Sequence, residues 1–219
     1  MNFTVWQLID SAFPSGGFAH SGGLEAAVQH GHVADSAAVH AFARQSLAQC
    51  WRAALPIVTA AHRCVDDITE LDQLCDVFLS NPIANRASRA QGRALLTSVA
   101  RAFPGVPAAP FEAAIRVKET AGHYAPLFGG IFRLLDVNLL DTQRAFLFIA
   151  SRGVGSAAVR LGIIGAYEAQ TIQAELSAHI DAVIHDCGAV APHDVAQTAP
   201  LIDLFQSTHD RVYSRLFQS

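Results

Sequence analysis

Charge is scarce in this chain. Asp, Glu, Lys and Arg make up only 16% of its 219 residues, against 51% hydrophobic, and mean hydropathy is +0.27. Two readings fit so little charge: apolar surface kept for a partner, or alanine, which is indifferent to exposure, raising the count. Fifteen basic residues against nineteen acidic ones leave a formal net charge of -4. With no Lys/Arg block, nucleic acid is not an expected partner. Nor is a membrane, because Arg144, Arg152 and Arg160 interrupt the longest apolar run, and a spanning helix needs about 18 uninterrupted apolar residues. No basic segment precedes an apolar run at the N-terminus, so a cytoplasmic protein is expected.

Other absences exclude chemistries. Cys50, Cys64, Cys75 and Cys187 show no C-x-x-C spacing and fall on apolar stretches, which reads as reduced, buried thiols on helices. There is no G-x-x-x-x-G-K-[ST] for phosphates and no H-E-x-x-H for zinc. His30 and His32 flank Gly31 and read as a loop pair, not two ligands on one helix face. Acids occur singly or as Asp66-Asp67, where a solvated helix end is the ordinary explanation. No catalytic residue, metal site or cofactor is expected.

What is present is helical periodicity. Asp35 or Ser36 can cap a helix on which Val39, Phe42, Ala43, Ser46, Leu47, Cys50 and Trp51 recur at three- and four-residue steps. Pro56 can open the next helix, over 57–65. Thr69-x-x-Asp72 has the capping-box form ahead of a stripe from Leu71 to Leu79. Asn81-Pro82 offers an N-cap with proline at the first helical position, leading to about residue 103. Arg86, Arg89 and Arg93 lie on this helix at i, i+3 and i+7, as a solvated face or a docking surface, and Gly92 leaves room for a close neighbour. A proline-rich connection over 104–110 reads as a hinge within one domain. Helices are then expected over 111–121 and 123–135, a further one capped by Asp141, and one over 172–187 ended by Gly188. The stretch from Leu201 is amphipathic, and such an end is expected to dock. The chain reads as all-α: one domain over 1–219, a bundle of about eight to ten helices joined by glycine- and proline-rich connections.

The densest punctuation runs from Asp10 to Glu25, D-S-A-F-P-S-G-G-F-A-H-S-G-G-L-E. Four glycines and a proline there mark a turn region, readable as an ordinary helix connection. Ala19-His20-Ser21-Gly22-Gly23 is also one residue from the G-x-S-x-G nucleophile elbow, which would make Ser21 the nucleophile of a small hydrolase, but the elbow needs strands that residues 3–12 do not suggest. Gly153-x-Gly155-x-x-Ala158, with Glu175 beyond it, fits the dinucleotide fingerprint but lacks the βαβ context that motif requires.

Asp10-Ser11, Pro14, Gly16-Gly17-Phe18, His20-Ser21 and Gly23-Leu24-Glu25 resemble the N-terminal signature of the urease accessory protein F family, UreF, with Phe13 where the family usually has Leu. The resemblance continues in order through Ala87-Ser88 with Gly92-Arg93 and Leu95-Leu96, His123-Tyr124 with Gly129, and Ser156-Ala157 with Val159-Arg160-Leu161. It closes at His209 with Ser214-Arg215-Leu216-Phe217 and Ser219. The chain departs from the family at 163–169, where a proline, a glutamine and a glycine are replaced. The resemblance implies a helical, homodimeric, non-catalytic accessory protein. Such a protein binds UreD (also called UreH), recruits the GTPase UreG through that complex, and helps insert nickel into apo-urease. The residues expected to face partners are Pro14, Gly16, Gly17, His20, Ser21, Glu25, Arg86, Arg89, Arg93, Arg160, His209, Tyr213, Arg215, Leu216 and Phe217, with the tail ordering against UreD.

Overall fold

A computed structural model describes residues 3–187 and 190–219. Its described residues form twelve α-helices and no strand. In chain order they are α1 (Phe3–Ile9), α2 (Leu24–Gln29), α3 (Ser36–Ala53), α4 (Leu55–Arg63), α5 (Ile68–Phe78), α6 (Pro82–Ala102), α7 (Ala109–Arg116), α8 (Tyr124–Leu134), α9 (Leu139–Arg160), α10 (Ala166–Ser177), α11 (Ile180–Cys187) and α12 (Pro200–Thr208). Only α1 and α2 are shorter than eight residues, so ten substantial helices make up the expected all-α bundle.

The bundle is built around α8. Eight of its residues in a row, Ala125–Phe132, are buried, so it is apolar all round and must be enclosed. It packs against α4, α5, α6 and α9, and the rings of Tyr124, Phe128, Phe132 and Phe146 pack on one another, Phe128 on Phe132 and Tyr124 on Phe146 stacked and Phe128 edge-on to Phe146. A single hydrophobic cluster runs from Val5 to Phe217, so the two ends of the chain belong to the same core as its middle.

Local capping follows the sequence where the partners are near. Asp35 accepts from the Ala38 amide at 2.8 Å, and Asn81 accepts from Ile83 and Ala84. Elsewhere the structure corrects the expectation. Asn138, not Asp141, caps α9. The helix over 111–121 is α7, two residues earlier in its start and closed by Lys118 at φ 60. The helix expected over 172–187 is two helices: its stripe steps by four through Ile172, Leu176, Ile180 and Ile184, but the His179 amide turns back to Leu176 and breaks the ladder. A side-chain period of four survives one tight turn, so the pattern could not show the break. The Gly188 end of that segment lies outside the described residues, as does the side chain of Cys187.

Two other motifs dissolve. Gly153 and Gly155 lie inside α9 with no strand before them, so the dinucleotide fingerprint has no phosphate-binding turn to form. Thr69-x-x-Asp72 is no capping box, because α5 starts at Ile68 with no side-chain cap, and Asp72 is buried elsewhere. Of the thiols, Cys75 is buried and Cys50 half-buried, both on helices, whereas Cys64 sits in extended backbone after α4.

Candidate functional site

Two buried carboxylates organise the polar interior. Asp72, 1% exposed, accepts three successive backbone amides from the turn before α8: Ala121 at 2.5 Å, Gly122 at 3.3 Å and His123 at 2.6 Å. His123, fully buried, shares hydrogen bonds with Ser88 (3.1 Å) and Asp76 (3.1 Å). Burial holds the His123 imidazole below its usual pKa, opposed by Asp76 and Asp72. The hydrogen bonds from Asn85 and then His123 lower that of Asp76. Gly92 makes the turn possible, since a Cβ there would run into the Gly122 carbonyl. The room that Gly92 leaves is filled by this turn rather than by a helix.

The second carboxylate joins the two ends of the chain. Glu25, in the first turn of α2 and 2% exposed, accepts from His209 Nε2 at 2.9 Å and from the Leu216 and Phe217 amides at 2.6 and 3.2 Å. Glu25 therefore does more than place an acid in the first turn of a helix: it clasps the tail. Around it, Ser21 donates its amide to the Ser219 main-chain oxygen at 2.5 Å, and Gln218 donates to Ala19 at 2.8 Å. Ser21 Oγ donates to the same Ser219 oxygen, and His20 Nδ1 shares a hydrogen bond with Ser219 Oγ at 2.5 Å. Arg160 lies over the rings of Phe18 and Phe217, at 3.8 and 4.1 Å from their centroids, and donates to the Phe18 carbonyl. Asp210 receives both Arg86 and Arg215.

Backbone shape makes this clasp possible. Gly16, Gly22 and Gly23 take positive φ, and a Cβ on Gly23 would stand 3.0 Å from the Gln206 amide of α12, so the loop needs glycine there to let α12 lie across it. Burial, then the charges of Arg86 and His209, depress the pKa of His20. The hydrogen bond from Arg86 lowers that of Asp210. Two buried side-chain polar atoms among the described residues have no hydrogen-bond partner, Asn85 Oδ1 and, at this junction, His209 Nδ1. Such a group opposes closure of the junction by about 1–3 kcal/mol.

Most expected site residues meet here: His20, Ser21, Glu25, Arg86, Arg160, His209, Arg215, Leu216 and Phe217, whereas Gly16 and Gly17 face Ala94 and Gln91 of α6. Pro14 lies along α6, its carbonyl accepting from Ser98. The arginine stripe splits between the two junctions, since Arg93 donates to the Ala121 carbonyl and the charge of Arg89 acts on Asp76 and His123. All three arginines stay exposed or half-exposed. Tyr213 is fully exposed and Leu216 is 52% exposed. Asp72, Asp210 and Phe18 were not among the expected residues. The one local cue for Asp72 is an acid wedged beside Leu71, Leu74 and Cys75.

The nucleophile reading of Ser21 fails on this geometry. An elbow holds its hydroxyl bare at the end of a strand. Ser21 is 3% exposed, covered by the tail and engaged through both its amide and its hydroxyl. His30 and His32 contact Thr208 and the Phe205 ring, and among the described residues no group of three or more His, Cys, Asp or Glu could hold a metal ion.

Fold and junctions together define an all-helical protein in which two buried acids, Asp72 and Glu25, fasten distant segments of the chain. Residues 33–177 match the UreF family. The chain is 36% identical over 219 residues to urease accessory protein F of Oryza sativa subsp. indica, covering 98% of this chain and 84% of that one. It is 35% identical to the Arabidopsis thaliana urease accessory protein F (100% and 93% covered) and 30% identical to the UreF of Arthrobacter sp. strain FB24 (97% and 95%). The chain belongs to the UreF family, and membership supports a role in urease maturation. These relatives are named as accessory proteins.

Proposed function

We propose that this chain is an adaptor in urease maturation. It binds UreD (UreH), recruits the GTPase UreG through that complex, and supports delivery of nickel to apo-urease, acting in the cytoplasm as a homodimer. The observation that carries this reading is the junction itself. Loop and tail form one surface, on which Phe18, Tyr213 and Leu216 stay 69%, 103% and 52% exposed, and exposed aromatic and aliphatic side chains grouped on one face are what partner recognition uses. The tail is already docked on its own chain, so the reading sharpens: UreD meets loop and tail as one face rather than ordering a free tail.

The test is co-expression with UreD from the same genome, with and without UreG, read as complex mass by size-exclusion chromatography. A UreD complex that captures UreG is expected. Truncation after Gln206 abolishes UreD binding with helicity retained, and Tyr213→Ser with Leu216→Ser does so while keeping the Leu216 amide that bonds Glu25. Full-strength binding by both variants would refute the tail surface; no complex with wild-type protein would refute the adaptor role.

A further inference from the structure

A cavity of about 310 Å³ lies where α3, α5, α6, α8 and α9 converge, with Gln206 of α12 on its wall. We infer that it is a binding site for a small, neutral, flat aromatic molecule of about two fused rings. Size argues first. A dry, enclosed protein cavity of ~150 Å³ lined by apolar side chains takes up one benzene; this one has about twice that volume and opens to solvent on one side, which gives a ligand its way in. Its volume exists because Ala53, Ala87 and Ala125 line positions where larger side chains would close it.

Chemistry argues second. No Asp, Glu, Lys, Arg or His lines the cavity, so nothing there would compensate a charged ligand once it lost its water. Tyr124 and Phe146 stack at 5.8 Å with 28° between their planes and offer a ready partner for a third ring. The polar groups on the wall are neutral: amides, a serine hydroxyl, thiols and the Tyr124 phenol. Burial pushes the Tyr124 phenol and the Cys75 thiol well above their usual pKa values. Tyr124 therefore remains a hydrogen-bond donor, and Cys75 does not offer a thiolate to a soft metal ion. None of the clasp residues around Glu25 lines this cavity, so the inference is independent of the adaptor reading.

The test is a methyl NMR titration of the full chain with indole. Ring-current shifts confined to the lining methyls of Ala53, Ala54, Leu79, Ala84, Ala87 and Ala125 are expected, saturating with a Kd below about 1 mM, a modest demand for nine heavy atoms. Ala87→Phe fills the cavity and raises that Kd by about tenfold or more. Shifts scattered over surface methyls, no saturation at millimolar indole, or a folded Ala87→Phe protein that binds equally well would each overturn the inference. If Ala87→Phe does not fold, the wild-type shift map decides.

Discussion

Asp72 and Glu25 do the same physical work in two different places. Each is a buried carboxylate that accepts two or three backbone amides from a segment far away in sequence. Asp72 lies within the stretch that matches the UreF family, 33–177, and anchors the turn feeding the central helix α8. Glu25 lies before that stretch and anchors residues that lie after it. The first is enclosed by the bundle. The second holds a segment with water on its other side. The same chemistry therefore secures the fold at one junction and a surface at the other, and the two should respond differently when broken.

The largest effect is expected at Asp72. Asp72→Ala strands three amides, two of them buried, each buried one costing about 1–3 kcal/mol when unmet, so a loss of about 3 kcal/mol or more and a Tm lower by roughly 10 °C are expected in thermal unfolding followed by circular dichroism. Gly92→Ala, which forces the same turn off α6, should come close. Glu25→Ala should cost less, about 1–2 kcal/mol, because its orphaned donors can reach water once the tail lifts. Its signature is local: tryptic cleavage at Arg211 and Arg215 should rise about tenfold. Equal global destabilisation by the two variants would erase the distinction between fold anchor and surface clasp.

Acid should act at both junctions in the same direction. The folded-state pKa values of His20 and His123 are depressed, chiefly by burial, so the unfolded chain binds more protons than the folded one between those values and the ordinary histidine pKa of about 6.5. Stability is therefore level above about pH 6.5 and declines as pH falls below it. His20→Gln should flatten this decline in part, measured as urea midpoints between about pH 5 and 8; an unchanged slope would remove His20 from the account. The smallest effect is expected for Arg160→Met, about 1 kcal/mol, as two cation–π contacts are replaced by apolar ones at a half-exposed site. Chemical denaturation would show it, with Tyr213→Ser as a neutral control.

What could be read in advance follows the distance over which each interaction acts. The N-caps Asp35 and Asn81 are legible because the amides they accept lie two or three residues away. The helix α8 is legible as a helix over 123–135, but its enclosure on every side shows only in the packed bundle. Asp72 is not, because its partners are about fifty residues off, and a local box with Thr69 imitates a function it does not have. Glu25 presents as a first-turn helix acid for the same reason: its donors lie 184 to 192 residues away. Family resemblance marks Glu25, His209, Leu216 and Phe217 as members of separate motifs. That they touch is visible only once the chain is folded.

The most direct test of the central claim is hydrogen exchange at the Leu216 and Phe217 amides in the wild-type chain and in Glu25→Ala, with the Ala121 and His123 amides as internal reference. Protection at 216 and 217 that collapses in the variant, while 121 and 123 keep theirs, is the predicted result. Rapid exchange at 216 and 217 in the wild-type protein, or protection that survives loss of the carboxylate, would contradict the clasp.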